Sequence, residues 1–225
     1  MKFSIIIVTW DRFEFTKNCI DTVLFTTEAT DREIIIVDNG SVDGTQDYLK
    51  QLKKEGKIDK LILFNKNKGF GIAINKAMSM ARGEYIVSVD NDIIMLVGWW
   101  EFVLEKMKNK KIGQIGLLEC PYNMQVLVDD INIAPPNVAG VWAMRKKLYD
   151  GGVRWCEKTW KEVPWQAVIF SKVIKDKGYL VGNVMEKFAV DLSVGNHNKF
   201  KEYYEKTFGD RNIKCLLDRF LIEEK

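Results

Sequence analysis

The chain has 225 residues, 47% of them apolar and 29% charged, with 34 basic against 31 acidic side chains. That length and apolarity predict one large domain with a core of its own and exclude a disordered chain. The formal net charge is only +3, and Lys and Arg are spread among acids along the whole chain, so no basic face and no nucleic-acid partner is expected.

In chain order, the apolar run 3–10 has no small-residue cleavage site and ends in Asp11-Arg12. It is too short for a membrane span and unlike a signal peptide, and it reads as a buried strand. β-Branched runs at 4–9, 33–37, 61–64 and 85–89 predict strands, and the stretches 12–25, 42–54 and 71–81 between them carry apolar residues at helical spacing. Strands apolar on both faces, alternating with helices, predict an α/β fold with a mostly parallel central sheet covered on two sides. Ligands of such sheets lie at the carboxyl ends of the strands. Ser41, in the turn Gly40-Ser41-Val42-Asp43-Gly44, is the expected N-cap of the second helix.

The second half is less regular. Strands are expected at 112–118 and 138–144, a loop at 129–137 around Pro135-Pro136, a helix at 166–177 stopped by Gly178, and a strand at 179–184. Ile213, Leu216, Leu217, Phe220 and Leu221 mark one apolar face of a terminal helix, which packs on the domain or serves a dimer or membrane-surface contact. Cys19, Cys120, Cys156 and Cys215 are widely spaced without a CxxC pair, the pattern of reduced thiols in a cytoplasmic protein.

Three polar clusters fall where strands should end: Thr9-Trp10-Asp11, Asp38-Asn39-Gly40-Ser41 and Asp90-Asn91-Asp92. Any one of them is ordinary turn chemistry, but three converging on one edge predict a binding site. In an extended backbone Asp90 and Asp92 would face the same side, and two hard anionic oxygens suit Mg²⁺ or Mn²⁺ bridging a diphosphate.

These residues resemble the nucleotide-sugar glycosyltransferases of the GT-A fold, in particular the large inverting family 2. SIIIVTWDR is similar to that family's SIIIPTYNR, and EIIIVDNGSVDGT to its EIIVVDDGSTDGT. NKNKGFGIAINKAMSMARGEYIVSVDND resembles the run from a donor-binding Asn to the DxD motif. The likeness covers about residues 1–105 and continues loosely through GVWAMRKKLYDGG to DKGY. It implies a single domain over 1–225, with a nucleotide-sugar-binding half at 1–105, an acceptor-side half at 106–197 and a helical tail at 198–225.

The resemblance implies roles residue by residue. Thr9 and Asp11 would line the nucleoside pocket, and Asp38 would accept a hydrogen bond from the base, which favours a UDP-sugar and leaves dTDP and GDP open. Asn75 would face the donor, Asp90 and Asn91 would touch it, and Asp92 would hold the metal. Asp191, at the family's usual His position, and His197, the chain's only histidine, are equal candidates for a further metal ligand. The acceptor, whether carbohydrate, lipid-linked or protein, is not identified. Among Trp142, Trp155, Trp160 and Trp165, the sugar-facing aromatic is expected to be Trp142.

Two departures from the family pattern stand out. Ile74 occupies a position where Arg is frequent, which removes a cation from the diphosphate site. The acidic pair that usually supplies the general base falls on Gln166-Ala167, which leaves Glu162 as the candidate base and Glu157 as second. The alternative is a catalytically retired protein of the same fold that binds a nucleotide sugar or a partner. A dinucleotide-binding enzyme or a nucleotidyltransferase is disfavoured, because the first turn has no glycine and Gly69-Phe70-Gly71 lacks the GxGxxG continuation.

Overall fold

Successive residues of the first strand, β1 (Phe3–Thr9), belong to two different cores: Ile5 and Ile7 to one, Ile6 and Val8 to the other. The second strand, β2 (Arg32–Asp38), divides in the same way, Ile34 and Ile36 against Ile35 and Val37. Alternation along a strand sends neighbours to opposite faces, so a run apolar at every position is stable only between two covering layers. Each buried Ile or Val contributes about 2 kcal/mol.

The computed structural model describes residues 1–118, 127–133, 138, 140–159, 161–163, 165–185 and 188–192. One covering layer holds α1 (Phe13–Thr26), α2 (Thr45–Lys54) and α4 (Trp99–Lys106), through Ile20, Val23, Leu49, Leu52, Trp99 and Val103. The other holds α3 (Phe70–Ser79), the short α5 (Lys146–Asp150) and α6 (Gln166–Asp176), through Ala73, Ile74, Ala77, Leu148, Phe170 and Ile174.

The remaining strands are β3 (Lys60–Leu63), β4 (Tyr85–Asp90), β5 (Ile93–Met95), β6 (Ile112–Gly116), β7 (Leu127–Val128), β8 (Ile131–Asn132), β9 (Val141–Arg145), β10 (Leu180–Val184) and β11 (Ala189–Asp191). Nine of the eleven described strands, β1 and β2 included, form one sheet in the order β3-β2-β1-β4-β9-β6-β10-β8-β7, and β5 pairs with β11 separately. β3, β2, β1 and β4 are parallel, β9 enters antiparallel between β4 and β6, and β10 again lies parallel to β6. With β8 antiparallel to both of its neighbours, all strands of this sheet except β9 and β8 point the same way.

Several local readings are corrected. The second helix begins at Thr45 rather than 42. Asp43 accepts from the Thr45 amide and hydroxyl at 3.2 and 2.7 Å, while Gly44 turns the chain at φ +96°. Ser41 is therefore not the N-cap. The stretch 129–137 is not all loop: Ile131 and Asn132 pair with Leu127 and Val128 across Asp129 and Asp130, whose φ values of 51° and 60° make the tight two-residue turn of a hairpin. The short β5, α4, α5 and β11 were not legible in the periodicity. Gly178 does end α6, at φ +84°. The expected terminal helix, His197, Trp160, Cys120 and Cys215 lie outside the described residues. Among those described, no helix is long and apolar enough to cross a membrane.

Candidate active site

Parallel register brings three strand ends together: Thr9 lies opposite Asp38, and Val8 opposite Asp90. The clusters that end β1, β2 and β4 thus share one edge of the sheet.

Asp38 is fully buried and organises the β2–α2 loop. Its Oδ1 accepts from the backbone amides of Gly40 and Ser41 at 3.1 and 2.9 Å and from Gln46 Nε2 at 2.7 Å. Its Oδ2 accepts from the hydroxyls of Thr9, at 2.8 Å, and Ser41. Desolvating a carboxylate is costly, and these donors offset that cost while fixing the loop. Gly40, at φ +84°, has Lys66 and Asn67 backbone where a Cβ would stand, which brings the β3–α3 loop against it. Asn39 fastens that approach by accepting from Lys68 N at 2.8 Å and donating to Asn67 Oδ1 at 2.9 Å.

The β1–α1 turn is knitted to the same loop. The Asp11 amide donates to Ser41 Oγ at 2.7 Å, Asp11 Oδ1 accepts from Val42 N at 2.8 Å, and Asp43 Oδ2 accepts from Phe13 N at 2.8 Å. These bonds hold Asp11 and Arg12 at φ 50° and 61°, a left-handed conformation unusual for an arginine.

Asp90 ends β4, and Asn91 and Asp92 form the turn into β5, so the two carboxylates are not presented by an extended backbone as the sequence suggested. They still converge. Burial, then Asp92, then Asp191 push the Asp90 carboxyl up to about 8. Asp191 arrives by pairing of β11 with β5, where it faces Ile93, and the next amide, Leu192 N, donates to Asp92 O at 2.8 Å. Asp92 is paired with Arg12, whose Nη1 lies 2.9 Å from Oδ2.

The expected donor-binding set therefore divides. Thr9, Asp38 and Asn75 spend their polar side-chain groups inside the protein, as Asn91 does its Nδ2. Asn91 Nδ2 donates to Thr16 Oγ1 at 2.9 Å. Asn75 Nδ2 donates to Trp155 O and Glu157 Oε1, both at 2.9 Å, and Asn75 Oδ1 accepts from Trp155 N at 2.9 Å. Asn75 clamps the segment after α5 onto α3. Trp142, 2% exposed and packed against Trp155 and Phe170, is a core residue rather than a sugar-facing one. Trp165, by contrast, is 76% exposed at the start of α6.

Glu162 is exposed, and its Oε2 accepts from the amide and hydroxyl of Thr159 at 2.8 and 2.7 Å. These two bonds, the hydroxyl first, hold its carboxyl below the usual range, so it is ionised at neutral pH. Gln166 opens α6 where an acid was sought, and serves as a strut by accepting from Trp155 Nε1 at 3.0 Å and donating to Lys158 O at 2.6 Å. Glu157, the second candidate base, is engaged by Asn75. Sequence reasoning missed Arg12 and Gln46; nothing in their local spacing signals partners that folding brings from elsewhere.

Among the described residues, no three ligand groups already surround one point closely enough to hold a metal ion. The donor set nevertheless fits Mg²⁺ or Mn²⁺, which take one or two carboxylates and complete their shell with water and phosphate oxygens. Asp92 and Asp191 both bear on the Asp90 carboxyl, so three acidic groups are available at one turn.

A mixed central sheet whose parallel N-terminal strands are flanked by helices, with an acidic turn after β4, is a GT-A-like α/β fold. The sequence matches the profile of Glycosyl transferase family 2 over residues 4–123, and the chain belongs to that family. It is 32% identical to the poly(ribitol-phosphate) beta-glucosyltransferase of Bacillus spizizenii over 123 residues, 51% of this chain and 19% of that protein. It is 35% identical over 92 residues to an uncharacterized glycosyltransferase of Nostoc, 41% of this chain and 28% of that one. The chain thus spans less than a third of either relative. Among solved structures, the Pyrobaculum calidifontis mannosyltransferase in complex with GDP-Man and Mn²⁺ superposes with a TM-score of 0.73 at 16% identity, covering 100% of this chain and 65% of that one. The S. aureus TarS 1–349 structure gives 0.68 at 15% identity, covering 86% and 61%. At these identities the likeness establishes the fold.

Proposed function

We propose that the chain binds a nucleoside diphosphate sugar at the carboxyl edge of β1, β2 and β4 and transfers the sugar, with inversion, to an acceptor hydroxyl. The observation that carries this reading is the register that ends β2 at Asp38 and β4 at Asp90 on one edge, with β11 pairing Asp191 to the turn of Asp92, in a chain of family 2. A uracil preference cannot rest on Asp38, whose oxygens already serve internal donors. It rests on the resemblance and on the TarS structures in complex with UDP and UDP-GlcNAc, against a GDP-Man complex for the mannosyltransferase.

Mn²⁺ or Mg²⁺, held by Asp92 with Asp90 or Asp191, would supply positive charge against the leaving diphosphate. The acceptor oxygen bonds to the anomeric carbon, the bond to the diphosphate breaks, and the electron pair leaves with the nucleotide. Glu162 takes the acceptor's proton. Its carboxylate is ionised and so able to accept a proton, and the two Thr159 bonds that hold Oε2 make it a weaker base than a free carboxylate.

A second reading, donor binding without transfer, is favoured by one observation: the first turn of α6 carries Gln166 and Ala167 and no acid. Melting curves with UDP, GDP and dTDP, each with and without Mn²⁺, test the binding reading, since a native-state ligand raises stability. At least one nucleotide should stabilise the protein, more so with metal; no shift at millimolar concentration would overturn it. Nucleotide release from the bound sugar donor separates the two readings. If transfer occurs, Glu162→Gln should retain donor affinity and lose about a hundredfold in rate.

A further inference from the structure

Arg12 is the residue the proposed function does not use. Its guanidinium stands over the Phe15 ring at 4.5 Å from the centroid and bonds through Nη1 to Asp92 Oδ2 at 2.9 Å. Its side chain is 44% exposed and that of Asp92 15%, so the ion pair sits at the open margin of the acidic turn. The backbone holds it there in a left-handed conformation set by the bonds around Asp11 and Phe13. The position where Arg is frequent in the family is filled by Ile74, fully buried in the core.

Resting on the metal-assisted reading above, we infer that Arg12 is an exchangeable counter-cation: it neutralises Asp92 when no metal is bound, yields that carboxylate to the divalent ion, and turns its charge to the donor's diphosphate. Oδ2 cannot keep its guanidinium partner and also coordinate a metal without setting the two cations no more than about 5 Å apart, a strongly repulsive arrangement. A metal on Oδ1 instead would still lie close to the guanidinium and be repelled by it, so metal entry at Asp92 favours the departure of Arg12. The released guanidinium remains within side-chain reach of the same turn. A planar fork of donors is suited to phosphate oxygens, and Phe15 provides an apolar platform on which it can pivot.

The consequence is ordered affinity. Mn²⁺ alone must compete with an internal cation, whereas Mn²⁺ arriving with a nucleoside diphosphate gives that cation a new partner. Free Mn²⁺ measured by electron paramagnetic resonance, with and without UDP, tests this in the wild type, Arg12→Gly, Arg12→Lys and Asp92→Asn. Glycine suits the left-handed backbone, which keeps the fold of the first variant intact. Arg12→Gly should bind Mn²⁺ alone about threefold to tenfold more tightly than wild type, and UDP with Mn²⁺ more weakly; Arg12→Lys, which keeps the charge and loses the fork, should match wild type with Mn²⁺ alone and fall between the two with UDP. Nucleotide-free Mn²⁺ affinity unchanged or lower in Arg12→Gly, while Asp92→Asn abolishes binding, would overturn the exchange and leave the metal site standing. Mn²⁺ binding undiminished in Asp92→Asn would remove the metal site itself, and the exchange with it.

Discussion

Asn75 and Trp155, eighty residues apart in sequence, exchange a reciprocal pair of hydrogen bonds: the Asn75 amide donates to Trp155 O, and its carbonyl accepts from Trp155 N. The asparagine thus replaces a strand partner for a segment that has none. Gly71, on the same helix, leaves room for the backbone of Cys156 and Glu157 to lie directly against it. The segment leading to Glu162 and α6 is thereby positioned by α3 rather than by its own secondary structure.

Asn75→Ala should therefore lower stability by about 2–3 kcal/mol, the cost of leaving buried backbone groups of Trp155 unpaired. Nucleotide affinity in the folded variant should change little, whereas a donor-contacting asparagine would lose affinity and leave stability nearly intact. Denaturant unfolding alongside calorimetric titration of UDP distinguishes these outcomes.

Asp38→Asn should destabilise by about 2–4 kcal/mol. One carboxylate oxygen becomes an amide NH₂ facing donors, so at least one buried donor loses its acceptor. Because the same oxygens order the loop shared with Asp11, nucleotide binding should fall with stability. A melting curve that matches wild type would refute the structural role.

At the opposite end of the sheet, Glu33 is fully buried and accepts from Ser4 Oγ and from Arg82 N, both at 2.7 Å, with Lys60 Nζ also at 2.7 Å. Burial alone would raise its carboxyl, but the bonds from Lys60, Ser4 and Arg82 outweigh that and hold it below the usual range. A group with a depressed folded-state pKa contributes stability that is present above its unfolded value, near 4, and lost as pH falls through the folded value. Glu33→Gln should therefore cost stability at pH 7 and show a smaller loss than wild type on acidification below about pH 4. Urea unfolding of both proteins from pH 7 to pH 3 gives the comparison; parallel pH profiles would exclude Glu33 as a source of the acid sensitivity.

The parallel half of the sheet, its helices and the edge where its strands end were legible in the chain itself, because burial on two faces leaves a local mark: apolar residues at every position of 5–8 and 34–37, then helical spacing. The family motifs lie in that same half. What only the tertiary structure decided is which polar groups are already taken. Thr9 meets Asp38, Arg12 meets Asp92 and Asn75 meets Trp155 across 29, 80 and 80 residues, and the β5–β11 pairing delivers Asp191 to the acidic turn. A strand's period is a property of neighbouring residues, whereas the satisfaction of a buried carboxylate or amide depends on partners brought near by the fold, and no local spacing announces them.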